Sequence, residues 1–266
     1  MSELYYSLAE IMITAAAETW RDDGEVLATG IGPLPRLAAS LAKSTFNPAL
    51  QLTDGEVWFT TEPVPPGPRT GATIEIEGLA NYDRVFATVW GGKRHAMVAP
   101  VQIDRFGQTN ISVIGSHSRP KTAMLGVRGY PGNSVSHPNS FFFPAHNTRA
   151  FVANEVDYVC SAGYNPERYL KARPPARLDL RLIVTDLAVL DFGGPEHAIR
   201  VRSVHPGVPF EQVQDNTGFP LLRPEHLPVT PAPSAEQLAI IGRLDPNQVR
   251  KTVLKGDPPG DRRGAG

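Results

Sequence analysis

Three short stretches carry residue types able to do chemistry. Gly30-Ile31-Gly32 lies between an apolar run and a helical run. At such a junction backbone N–H groups can approach a phosphate or an oxyanion. A dinucleotide site wants a third small residue for helix–strand packing, but Pro35 stands there, so a tight turn against a substrate or a neighbouring chain fits better. Leu52-Thr53-Asp54-Gly55 places a hydroxyl and a carboxylate beside a turn glycine. Gly132-Asn133-Ser134-Val135-Ser136-His137 joins a glycine, which allows close backbone approach, to side chains that donate hydrogen bonds. It reads both as a surface loop rich in turn residues and as a site loop, because long loops in compact domains are functional or disordered. The candidate substrate- or oxyanion-binding residues are Gly30, Gly32, Thr53, Asp54, Gly132, Asn133, Ser134 and His137.

Other chemistries fit poorly. Ser116-His117-Ser118 puts two hydroxyls beside an imidazole, yet neighbours on a strand point to opposite faces. No G-x-S-x-G elbow is present. His95, His117, His137, His146, His197, His205 and His226 include no H-x-x-x-H pair, so no metal site is expected. Cys160 is the only cysteine, which excludes an intrachain disulfide; after an apolar run it is expected to be a small buried side chain. The formal net charge of −1 supplies no field for nucleic acid or anionic lipid, and neither is expected as a partner. No stretch approaches the roughly 18 apolar residues of a membrane span. Met1-Ser2-Glu3-Leu4-Tyr5 lacks the basic start of a secretion signal. The expected compartment is the cytoplasm.

These residues need elements to hold them. Leu8, Ile11, Met12, Ala15 and Ala16 recur at helical spacing and predict an amphipathic helix over 5–20, stopped by Asp22-Asp23-Gly24. A strand at 25–29, the Gly30 turn, a helix at 36–43 and a strand at 49–52 make a β-turn-α-β unit, which builds parallel sheet. Residues 62–71 are a Pro- and Gly-rich loop, and a helix is expected near 80–90. Strands are predicted at 97–103, 110–114, 151–152 and 156–159, with a long loop over 126–144. Alternation in Leu178-Asp179-Leu180-Arg181-Leu182 and Ile199-Arg200-Val201-Arg202 predicts an antiparallel meander over 178–204. Pro209 opens a short helix. The expected organisation is one α/β domain over 1–228, an open and mainly parallel sheet flanked by helices. A Pro-rich extension over 229–266 follows, with one short helix near 235–241 and a disordered end from 255.

From about residue 5 to 225 the chain resembles the β subunit of class I CoA-transferases. The resemblance rests on Thr29-Gly30-Ile31-Gly32-Pro33 with Leu37-Ala38-Ala39, and on Gln102-Ile103-Asp104-Arg105-Phe106-Gly107-Gln108-Thr109-Asn110, which fits a family Q-V-D-x-x-G-x-x-N pattern. Gly132-Asn133, Val184-Thr185-Asp186-Leu187-Ala188-Val189, His205-Pro206-Gly207-Val208 and Thr217-Gly218-Phe219 follow in order. The family's β subunit carries a nucleophilic glutamate in an S-E-N-G turn. Here Thr53 stands in its place, and a hydroxyl without a base cannot form the exchangeable anhydride.

This alteration resembles a steroid-degrading, hydrolytic branch of the family. Pro131-Gly132-Asn133-Ser134 and Phe141-Phe142-Phe143-Pro144 support that likeness. It implies a homologous α subunit, an α2β2 assembly, and hydrolytic C–C cleavage in a ring of a steroid-derived acyl-CoA. The catalytic carboxylate would then lie on the α subunit, no catalytic residue is certain on this chain, and CoA enters as part of the substrate with no separate cofactor. The phenylalanine run would line an apolar pocket for fused rings or pack in the core. Lys93, Arg94, Lys121 and Arg128 are available to CoA phosphates. Two other readings stay open: a CoA-transferase subunit using Glu56 or Glu62, and a non-catalytic subunit that stabilises its partner.

Overall fold

The computed structural model describes residues 4–55, 58–68, 73–169 and 173–263 and divides into two compact units. The first comprises Met1–Val98 and Thr230–Gly266, the second Ala99–Val229.

The first unit opens with a capping box. The Ser7 hydroxyl accepts from the Glu10 N–H at 3.3 Å, and the Glu10 carboxylate accepts from the Ser7 N–H at 2.8 Å. Such a cap contributes about 1 kcal/mol. It starts α1 (Leu8–Ala17), in which every residue but Glu10 is buried. The helix is therefore a core element rather than the amphipathic one expected, because small alanines fill the side that polar residues would occupy. A 3-10 turn continues it to Trp20. Then come β1 (Leu27–Gly30), α2 (Pro33–Ser44), β2 (Leu52–Asp54), β3 (Trp58–Thr60), β4 (Ile76–Leu79), α3 (Tyr82–Trp90) and β5 (Arg94–Val98). β1 pairs in parallel with β5, and Leu27 forms a parallel bridge with Gln51, as the β-turn-α-β reading requires. β2, β3 and β4 form a small antiparallel sheet.

The second unit begins with the short pairs β6 (Gln102–Ile103) with β7 (Thr109–Asn110), and β8 (Val113–Ile114) with β9 (Thr122–Ala123). After α4 (Tyr130–Ser134) comes β10 (Asn139–Phe143), inside the stretch expected to be loop. Phe141, Phe142 and Phe143 are at most 2 % exposed. They are core packing, not the wall of an open pocket. A strand covered on both faces is apolar without alternation, which hides its period in the sequence. α5 (Pro166–Tyr169) precedes β11 (Leu180–Thr185), which runs parallel to β10. β12 (Ala188–Asp191) and β13 (Arg200–Val204) complete the expected antiparallel meander, followed by α6 (Phe210–Asp215) with Pro209 at its cap. The strand expected at 151–152 reduces to an isolated bridge at Phe151, and 156–159 is not strand. Cys160 is buried, as expected.

The chain returns to the first unit through α7 (Ala235–Leu244) and α8 (Arg250–Val253). Residues 255–263, expected to be disordered, run against the N-terminal segment. The Leu8 N–H donates to the Pro258 carbonyl at 2.8 Å, and the Gly260 N–H to the Tyr6 carbonyl at 2.9 Å. Arg250 adds an ion pair to Glu10 at 3.1 Å. Proline and glycine mask this strap because it bonds through its backbone and shows no apolar period. Residues 264–266 lie outside the described residues.

His146 ties the second unit together. Its Nδ1 lies 3.0 Å from the Thr185 hydroxyl and its Nε2 2.9 Å from that of Thr217, and the ring stacks on Phe151 at 3.9 Å. The Thr217 hydroxyl donates to the Val213 carbonyl and the Thr185 hydroxyl to the Ala188 carbonyl, so both threonines present lone pairs to the ring. Burial pushes the His146 pKa down to about 3, from an ordinary 6.5. Between those values the unfolded chain binds a proton that the folded chain refuses, so stability falls as pH drops through the window. Calorimetric melting from pH 7 to pH 4 should show this loss, and His146→Gln should flatten it.

Candidate functional site

Gly30, Gly32, Thr53 and Asp54 fall in the first unit, and Gly132, Asn133, Ser134 and His137 in the second. Each set is held by its own elements.

In the first set the controlling feature is the approach of α2 to the end of β1. A Cβ on Gly30 would lie 2.2 Å from the Pro35 carbonyl carbon and 2.4 Å from the Arg36 nitrogen. Gly32 caps the helix with φ +108°, a left-handed value that favours glycine. Pro33 and Pro35 remove two of the first N–H groups of α2. An anion-cradling helix start needs those donors, so the dinucleotide reading fails on geometry as well as on pattern. The third small residue of that pattern is unnecessary here because Gly30 itself receives the helix.

Thr53 lies within β2 rather than in a turn; the turn comes at Gly55, φ +59°. Alternation buries Leu52 and Asp54 and leaves Thr53 half-buried on the other face. Arg36 links the helix to Asp54 at 3.4 Å and to the Val64 carbonyl at 3.2 Å through the same guanidinium nitrogen. Beside them is a cavity of about 260 Å³, with Gly30, Arg36, Ser40, Thr53 and Thr60 among its lining. Its polar side chains are hydroxyls and one guanidinium; among the described residues no carboxylate or imidazole lines it. Ser40, Thr60 and Arg36 carried no sequence signal, because nothing in their local spacing separates them from ordinary helix and strand positions. Glu62 is exposed and borders a different cavity with Lys43 and Arg243. Glu56 lies outside the described residues.

The second set splits into bound and free groups. The Ser134 hydroxyl donates to the Pro131 carbonyl at 2.8 Å and accepts from the Ala162 N–H at 3.0 Å. His137 is buried, with Nδ1 2.9 Å from the Pro138 carbonyl. The Asn139 amide donates to the carbonyls of His137 and Ser134 and closes the turn after α4. Asn133 is half-buried at the end of α4, and Gly132 is exposed with open space around it.

The stretch from Gln102 to Asn110 is structural. Asp104 accepts from the Phe106 and Gln108 N–H groups and from the Gln108 side chain at 2.7 Å. The Asn110 amide donates to Gln102 at 2.7 Å. Burial is the main reason the Asp104 pKa rises to about 6. Of the basic residues considered for phosphates, Arg94 donates to the Thr29 hydroxyl at 3.0 Å, and Lys93 borders a cavity beside Glu25 and Glu77. Lys121 and Arg128 fall in the second unit.

No protein-family model matches the chain. Individual proteins do. The IpdB subunit of the cholesterol ring-cleaving hydrolase of Rhodococcus jostii is 38 % identical over 247 residues, covering 91 % of this chain and 94 % of that protein. The crystal structure of IpdAB from the same organism superposes with a TM-score of 0.85 at 36 % identity, over 94 % of this chain and 99 % of the matched one. More distant is the B-type subunit of the 3-oxoadipate CoA-transferase of Pseudomonas knackmussii, 29 % identical over 90 % of this chain and 94 % of that protein. The fold is that of the CoA-transferase subunits: parallel strands flanked by helices, with antiparallel additions. Within that class, the chain belongs to the family of the cholesterol ring-cleaving hydrolase IpdB subunits. No helix among the described residues is long and apolar enough to cross a membrane.

The two glycines separate crowding from freedom. Gly30→Ala should cost about 1–3 kcal/mol, since its methyl meets backbone that cannot step aside. Gly132→Ala should stay within about 0.5 kcal/mol of the parent. Urea denaturation of the two variants checks the contrast.

Proposed function

We propose that this chain is the β-type subunit of a two-subunit hydrolase, which opens a ring of a steroid-derived acyl-CoA thioester by hydrolytic C–C cleavage, its catalytic carboxylate on a homologous α subunit. The observation that carries the reading is Thr53. It stands where the transferases' glutamate is expected, and the cavity it borders offers no base among the described residues. A threonine hydroxyl needs such a base to attack. Glu62, the substitute nucleophile of a transferase reading, borders another cavity.

Ring opening needs no covalent nucleophile. Water attacks a ring ketone placed β to the thioester, and its proton passes to a general base. The bond between the ketone carbon and the thioester α-carbon then breaks, and its electron pair is held as the thioester enolate until the α-carbon takes a proton. One base and a set of oxyanion donors suffice. On this chain Asn133 is the side chain of the second set best able to donate, because Ser134 and His137 bond within their own loop. The relatives support the reading by name, one belonging to a ring-cleaving hydrolase and another, further off, to a CoA-transferase. An α2β2 assembly in the cytoplasm, with CoA bound as part of the substrate and no separate cofactor, belongs to the same proposal.

The assembled enzyme incubated with its acyl-CoA substrate and then treated with borohydride or hydroxylamine should yield no modified peptide from this chain. A trapped peptide containing Glu56 or Glu62 would return it to the transferases. Asn133→Ala should lower kcat on the order of 10²–10³-fold with little change in melting temperature, the loss typical of one oxyanion donor. Unchanged turnover in a steady-state assay would leave Asn133 a turn former.

A further inference from the structure

α3 is thinly packed on its own unit. Of its nine residues only Val89 is buried. A helix this short is marginal in water without tertiary packing. Beneath it lies a cavity of about 440 Å³, lined by Glu77, Arg84, Thr88 and Lys93 among others, so the helix stands off its own unit. Its outer side carries Tyr82, Phe86 and Trp90 at four-residue spacing, 82 %, 45 % and 59 % exposed. The rings stack in a ladder, with centroids 6.3 Å and 4.9 Å apart. Ahead of the helix in the chain, β4 pairs among the described residues with β3 alone and exposes Ile76 and Leu79, and Trp58 sits opposite Leu79 in register. The Arg84 guanidinium donates to the Leu79 carbonyl at 3.3 Å and joins strand to helix.

We infer that this face, the Tyr82–Phe86–Trp90 ladder with the β4 edge, is the seat of the homologous α-type subunit. The inference rests on the two-subunit reading above and adds where the partner sits. Area is the first argument. The three rings expose roughly 400 Å² between them, taking about 200 Å² for a whole aromatic side chain. Trp58, Ile76 and Leu79, on the strands that Arg84 ties to the helix, add exposed apolar surface in the same unit, toward the roughly 800 Å² per partner of a stable interface. Shape is the second. The ladder follows about 12 Å of convex helix, whereas small molecules are taken up in concavities. Charge is the third. Asp83 and Arg84 flank the ladder with opposite signs, not the cationic face of a membrane-surface helix. Exposed edge strands with apolar side chains are covered in native proteins. The relatives are themselves subunits of larger enzymes, and one solved relative is a complex, IpdAB.

The test uses the full chain and the purified α-type subunit encoded in the same genome. Phe86→Ser with Trp90→Ser should weaken assembly at least about 100-fold, since buried aromatic anchors dominate interfaces. The chain's own melting temperature should change little beyond what the loss of the stacking between the two rings costs. Leu125→Ser with Val229→Ser, also exposed apolar residues but in the second unit, should leave assembly unchanged. In the parent, tryptophan emission should shift to the blue on adding the α subunit, and the shift should shrink in Trp90→Phe. Undiminished affinity of the Phe86/Trp90 variant overturns the inference. So does loss of self-association alone, which would make a second copy of this chain the occupant. So does intact assembly with a raised KM, which would give the face to the acyl group of the substrate. If the parent itself fails to bind any α-type subunit, the two-subunit reading falls, and the inference with it.

Discussion

The contact between Gly30 and the first turn of α2 is the constraint from which the first unit's site geometry follows. With the Pro35 carbonyl carbon 2.2 Å from where a Cβ would stand, no other residue admits the helix so close to the strand. That closeness fixes the rest in order. Gly32 must take a left-handed φ to turn the chain, and the prolines at the helix start then cost no hydrogen bond. Arg36, one turn in, reaches Asp54 on β2 and the Val64 carbonyl beyond β3. The hydroxyl-lined cavity is the space left between these elements.

The second unit is governed by a different constraint, the satisfaction of buried polar groups. Burial alone would destabilise the Asp104 carboxylate, and three N–H donors surround it. Even so, burial outweighs them and its pKa stays raised. Neutral His146 bridges two threonines and stacks on Phe151. His205 meets the carbonyl of Thr185, the same residue whose hydroxyl faces His146. Each such bond gives a net gain of only about 1 kcal/mol but a larger loss if it is left unmet.

How much of this was legible in the sequence depended on period. The β-turn-α-β unit, the meander over 178–204 and the helix after Pro209 all announced themselves, because a half-exposed element alternates and a turn needs its glycine or proline. β10 did not, since a strand buried on both faces looks like any apolar run. The C-terminal strap did not, since it bonds through backbone groups that composition does not encode. At the site, Gly30, Gly32, Thr53 and Asp54 were legible as a set and lie on adjacent elements. Arg36, Ser40 and Thr60 were not, since only the folding of β3 back onto β2 brings Thr60 beside them. In the 132–137 stretch the residue types were legible but not their employment: Ser134 and His137 bond locally.

That employment bears on where the chemistry sits. A general base must reach substrate with a free lone pair, and the buried carboxylates and imidazoles considered above meet groups of their own units. Asp54 is buried against Arg36, Asp104 is enclosed by its own hairpin, His95 lies 2.6 Å from Asp23 in the core, and His137, His146 and His205 all meet groups of their own unit. Beside the Thr53 hydroxyl the cavity has no carboxylate or imidazole among the described residues that line it. Buried groups so occupied give position more readily than they accept a proton. Thr53 fits the same pattern, in which the proposed hydrolysis asks position of this chain rather than a nucleophile.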